Sequence, residues 1–112
     1  MNWLAVFIGG GIGSLLRFSI GKIPFTVNFP LNTFISNTIA CAVLGVSIYF
    51  LKPQTQFWQL FVFVGVCGGL STFSTFSKET FDLFQAGNYL IALTNIIVSV
   101  GTCIGIFWFL KN

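Results

Sequence analysis

Four long apolar stretches, separated by short polar turns, restrict what this chain can become more than any other feature. Residues 31–51, 57–76 and 89–110 contain no charged side chain, and residues 3–20 contain only Arg17. A helix needs roughly 20 apolar residues to cross a hydrocarbon layer of about 30 Å, and each stretch is long enough. Charged residues make up 6% of the 112, against about 25% in an ordinary soluble domain. So few charges cannot solvate a globular surface, which excludes a water-soluble domain. The expectation is one all-α integral membrane domain, residues 1–112, embedded in the lipid bilayer. Its four transmembrane helices span roughly 3–22, 31–51, 57–84 and 89–110, leaving no room for a soluble domain. The N-terminus lacks the pattern of a cleaved leader.

The breaks lie around Pro24 to Pro30, at Lys52-Pro53-Gln54, and at Gln85-Ala86-Gly87-Asn88, all helix-interrupting compositions. Trp3, Tyr49, Trp58 and Trp108 fall near span ends, where aromatic rings favour the membrane interface. Four spans put both termini and the Lys52 turn on one side, with Lys52 and Lys111. The other side holds Lys22, with Arg17 and Lys78 near helix ends. A near tie in basic residues sets no firm direction. It fits either a weakly fixed orientation or insertion both ways with antiparallel pairing. Glycines four apart at Gly9/Gly13, Gly65/Gly69 and Gly101/Gly105 let helix backbones approach closely, in packing or dimerisation.

Several function classes drop out. The chain has no histidine, so an imidazole base or a His-ligated metal is impossible. Cys41, Cys67 and Cys103 sit inside apolar stretches with no CxxC spacing and are expected as small packing residues rather than disulfide partners. The net charge of +3 is carried by scattered residues, so no nucleic-acid partner is expected. Gly9–Gly13 lacks the GxGxxG spacing of a nucleotide site. No enzymatic activity is expected.

The third segment carries the unusual chemistry. Gly68-Gly69-Leu70-Ser71-Thr72 falls near its midpoint and makes a poor helix, because glycine costs about 1 kcal/mol relative to alanine and hydroxyls compete for backbone partners. One reading is a third helix broken at mid-membrane, with freed carbonyls suited to a small hard cation. The other is a continuous helix using glycine for packing and hydroxyls for back-bonding. Ser71, Ser74, Thr75 and Lys78 share helical spacing, with Phe73 and Phe76 on a neighbouring face. Ring edges are the positive part of the aromatic quadrupole, so edges and hydroxyls together can face an anion.

Elsewhere, Asn37 lies within the second segment, and Asn95, Ser99 and Thr102 or Cys103 fall on one face of the fourth. Each could simply tie helices together. Arg17 is costly so deep and points to a partner or an aqueous path, unless it snorkels. The first segment has no carboxylate; the only acids are Glu79 and Asp82. A small multidrug-type transporter subunit, the main alternative, would be expected to carry one there.

Three runs are distinctive: Gly9-Gly10-Gly11-Ile12-Gly13-Ser14-Leu15-Leu16-Arg17-Phe18, Asn32-Thr33-Phe34-Ile35-Ser36-Asn37, and Gly68-Gly69-Leu70-Ser71-Thr72-Phe73-Ser74-Thr75-Phe76-Ser77-Lys78-Glu79. Together they resemble the Fluc (CrcB) fluoride channels, and the resemblance covers essentially the whole chain. It implies an antiparallel, dual-topology dimer of four-helix subunits in the cell membrane, a homodimer or a pair with a homologous subunit, with two pores. It implies passive, fluoride-selective export from the cytoplasm. Phe73 and Phe76 would be the pore phenylalanines and Asn37 the pore amide. Ser74, Thr75 and Ser99 would belong to the ion pathway, and Arg17 to the vestibule. Backbone carbonyls of Gly68 and Ser71 from both subunits would hold a central sodium ion that is not transported. Ser71 stands where the family often has Thr, Asn95 where it commonly has Tyr, and Cys103 where a hydroxyl is frequent.

Overall fold

Turn residues set the helix boundaries. In the computed structural model, which describes residues 2–112, helix α1 (Asn2–Gly21) ends before the proline-bounded turn. There Asn32 reaches back, its Nδ2 donating to the Ile20 and Ile23 carbonyls at 2.8 and 2.9 Å. The Ile20 carbonyl, near the end of α1, also accepts the Ile23 N–H at 3.1 Å, so Asn32 reinforces a turn that is already closed. Helix α2 (Leu31–Leu51) stops at Lys52. That residue is left-handed, with φ 45°, and its N–H closes on the Ser47 carbonyl at 2.7 Å. Thr55 starts the next helix by accepting the Trp58 N–H on Oγ1.

The third span, Gln56–Gln85, divides into α3 (residues 56–70) and α4 (Phe73–Gln85). Helix α4 ends at Gly87, whose φ of 83° needs no Cβ, with Asn88 N–H returning to the Leu83 carbonyl at 2.8 Å. This is a glycine-terminated helix end. Helix α5 (Tyr89–Lys111) completes the chain. The elements are all helical among the described residues, and four spans are long and apolar enough to cross a membrane.

Glycine brings α1 and α3 into backbone contact. A Cβ on Gly9 would overlap the Phe61 carbonyl oxygen, and one on Gly13 the Val66 carbonyl oxygen. A Cβ on Gly65 would lie 2.8 Å from Gly9 Cα. Two of the three glycine pairs therefore close a seam inside the protomer. Around Gly101 and Gly105 nothing lies within 4 Å of the added atom, so the third pair faces outward. Along this seam α3 is wound wider than an α-helix over Leu60–Val66.

The remaining packing sets α2 against α5, and α5 against α4. Buried apolar side chains are few and mostly small: Ala5, Ala40, Cys67, Leu70 and Ala92. Large ones face out, with Trp3 90% and Phe109 80% exposed. Hydrocarbon is a good solvent for such a surface, so close packing and internal hydrogen bonds hold the helices together.

Candidate functional site

Helical geometry stops at Leu70 and resumes at Phe73. Between them Ser71 (φ −82°, ψ 156°) and Thr72 (φ −151°, ψ 114°) are extended. Two extended residues at this depth must find partners for their backbone groups. Asn37 supplies them for Thr72. Its Oδ1 accepts the Thr72 N–H at 2.7 Å, and its Nδ2 donates to the Thr72 carbonyl at 3.4 Å. Thr72 also restarts the helix, its Oγ1 accepting the Thr75 N–H at 3.2 Å.

The clamp has a consequence for Gly68. In an unbroken helix the Thr72 N–H would bond to the Gly68 carbonyl; here it is turned to Asn37 instead. Gly68 is exposed, with nothing within 4 Å of where its Cβ would be. The neighbouring Gly69 carbonyl is taken by Arg17, whose Nε donates to it at 3.0 Å. A guanidinium at a helix C-terminus complements both the last carbonyls and the dipole. Arg17, expected at a vestibule, caps the inner end of α3.

Two cavities meet at the break. One, of about 380 Å³, is lined by Arg17, Lys22, Asn32, Thr33, Ser36, Thr72, Thr75 and Glu79. The other is an open groove of about 300 Å³ lined by Asn37, Cys41, Ser71, Thr72, Phe73, Phe76, Ser99 and Cys103, with apolar neighbours. Thr72 borders both. The rings of Phe73 and Phe76 lie 6.1 Å apart, centre to centre, and tilted by 41°. Phe73 is 80% exposed.

Hydrogen-bond directions decide which polar groups can greet an anion. Thr72 Oγ1 donates to Thr75 Oγ1 at 3.1 Å. That hydroxyl has a single proton, so Ser74 is the donor in its 3.3 Å contact with Thr72. Thr75 keeps its own proton, and Asn37 keeps its second amide hydrogen. Ser99 donates to Asn95 Oδ1 at 3.0 Å, Asn95 Nδ2 donates to Thr80 Oγ1 at 2.9 Å, and Thr80 donates to the Phe76 carbonyl at 2.8 Å. Asn95, Ser99 and Thr80 are all buried. Ser99 reaches the groove but gives its proton away from it.

The structure brings Asn37, Phe73, Phe76 and Ser99 to the groove, and Arg17 and Thr75 to the other cavity. Ser74 stays at the exposed side of the break. The single face suggested for Ser71, Ser74, Thr75 and Lys78 does not form, because the break separates Ser71 from the others. Ser71 Oγ turns back to the Cys67 carbonyl at 2.9 Å, and exposed Lys78 pairs with Asp82 at 2.6 Å. Asn95 and Ser99 share a face and bond to each other, but only Ser99 and Cys103 of that face reach the groove, while Asn95 ties α5 to α4. Thr72 and Thr80, both central to the arrangement, were not singled out by spacing. Thr72 could be found as a threonine three residues before Thr75 at a helix restart, a capping position.

Comparison with known proteins shows the same extent of likeness along the chain. The family described as CrcB-like protein, Camphor Resistance (CrcB), matches residues 4–110. A curated relative from Pyrococcus abyssi, called fluoride-specific ion channel FluC, is 45% identical over 101 residues, covering 87% of this chain and 82% of its own length. Proteins of the same name from Coxiella burnetii (strain CbuK_Q154) and Escherichia coli O1:K1 are 35% and 45% identical. They cover 96% and 86% of this chain, and 93% and 80% of their own lengths.

Proposed function

The chain belongs to the CrcB-like family, and from that premise we propose that it is a fluoride-specific channel of the cell membrane that lets fluoride leave the cytoplasm passively. Neutral hydrogen fluoride enters, dissociates and is trapped as the anion. A membrane potential negative inside then drives the anion out by about 2.3 kcal/mol per charge per 100 mV. No chemical step is required.

The observation that carries this reading is the clamped break, with Thr72 shared between a cationic cavity and a phenylalanine-edged groove. Fluoride holds water tightly, so a path must replace that shell with close donors. Arg17 and Lys22 attract the anion into the first cavity. The uncommitted proton of Thr75 meets it there, and the second amide hydrogen of Asn37 meets it beyond the break. The positive ring edges of Phe73 and Phe76 take over where hydroxyls end. Ser74 holds Thr72 in place and so acts on the path through a neighbour, whereas Ser99 borders the groove with its proton spent on Asn95.

The groove is open on one side within a single chain, and Gly68, Gly101 and Gly105 face outward. These features support an antiparallel dimer, homodimeric or with a homologous subunit, whose second copy closes each pore. The outward-facing Gly68 also suits a central sodium ion. The Gly68 carbonyl is released by the Asn37 clamp, Ser71 is extended, and neutral carbonyl oxygens are donors for a hard cation. Gly68 and Ser71 of each copy would hold it, supplying fixed positive charge between the two copies.

Fluoride efflux from liposomes containing the pure protein, followed with a fluoride electrode, tests the proposal. Rapid fluoride release with chloride retained is expected. No release, or equal chloride release, overturns it.

A further inference from the structure

Cys41 and Cys103 have no part in the path just described, yet both line its groove. Cys103 Sγ lies 3.7 Å from the Asn37 carbonyl oxygen. In a helix that carbonyl points at the amide of the residue four positions on, which is Cys41. The α5 thiol therefore sits one turn along α2 from Cys41, and both side chains line the same groove. Both are free and partly accessible, whereas Cys67 is 4% exposed and does not line the groove.

We propose that Cys41 and Cys103 form a two-thiol site for one soft, thiophilic d10 cation of the mercury(II), silver(I) or copper(I) kind. Soft sulfur ligands select such ions over hard ones, and these ions accept two ligands. With mercury(II) the step balances simply. Both S–H bonds break, each sulfur keeps its electron pair and forms an S–Hg bond, and two protons leave to water. The product is neutral, so it carries no uncompensated charge into a low-dielectric groove. It spans α2 and α5 beside Asn37 and Phe76, and on the reading of this groove as the fluoride path it obstructs that path.

The test uses the full-length protein carrying Cys67→Ala, so that two thiols remain, and mercury(II) chloride as the probe. Intact-mass measurement is expected to show one mercury per chain, with both thiols lost to dithiodipyridine titration and recovered with dithiothreitol. The second thiol binds at a high effective concentration, so Cys41→Ala or Cys103→Ala should weaken retention against glutathione by about 100-fold. Two mercury atoms per chain, or single-cysteine variants that hold the metal as firmly as the pair, overturn the site. Fluoride efflux measured in parallel should stop with mercury in the two-thiol protein and continue in both single-thiol variants. One mercury bound with efflux unchanged upholds the site and counts against the groove as the conduction path.

Discussion

Replacing Asn37 by leucine removes the clamp while keeping the branched shape and heavy-atom count of the side chain. Thr72 then loses an acceptor at 2.7 Å for its N–H and a donor at 3.4 Å for its carbonyl. The second bond is at the outer limit of useful geometry, so the orphaned N–H dominates. A buried donor without a partner costs about 1–3 kcal/mol. Thr72 can escape that cost by turning into helical dihedrals, where its N–H meets the Gly68 carbonyl, but this closes the break. Either way the extended arrangement is disfavoured by about 5- to 150-fold relative to the native chain. Fluoride efflux should fall by at least the lower figure. The α1–α3 seam is untouched, so helix content and elution volume should stay native. Circular dichroism, gel filtration and electrode-monitored efflux on the same preparation check this. Undiminished efflux from a folded Asn37→Leu protein would refute the idea that Asn37 holds the break open.

Other expectations follow from the same contacts. Gly13→Ala pushes a methyl into the Val66 carbonyl and should destabilise by about 1–3 kcal/mol, whereas Gly105→Ala, with open space around it, should stay within about 0.5 kcal/mol in the isolated protomer; thermal unfolding in detergent separates the two. Phe73→Ile should cut fluoride efflux without lowering the unfolding temperature, since the ring is largely exposed in the protomer. Ser99→Ala should leave efflux unchanged because its proton already goes to Asn95; a clear loss would show that Ser99 donates to the ion. Asp82→Asn breaks an exposed pair with Lys78 and should change stability by no more than about 1 kcal/mol.

Much of the site was legible in the residues because local weakness is written locally. Two glycines before a Ser-Thr pair disfavour helix wherever they stand, and the phenylalanines three apart mark a face once the helix restarts. What the spacing missed came from long-range bonding. Helical periodicity groups Ser71 with Ser74, Thr75 and Lys78, but it assumes an unbroken axis. Asn95 and Ser99 look equivalent along α5, yet only the position of Thr80 on another helix turns their bonds inward. The glycine pairs look alike in sequence, and the chain's folding decides which two find a partner backbone.

Hydropathy and helix-breaking composition are sums over neighbours, so the chain alone determined the solvent, the four spans and the weak point of the third. Hydrogen-bond direction is a property of pairs far apart in sequence. Only the tertiary structure decided that Asn37 holds Thr72 extended, that Arg17 takes the Gly69 carbonyl, and that Thr75 keeps its proton. Each group has a limited number of donors and lone pairs, and how they are spent depends on which distant atom arrives within reach.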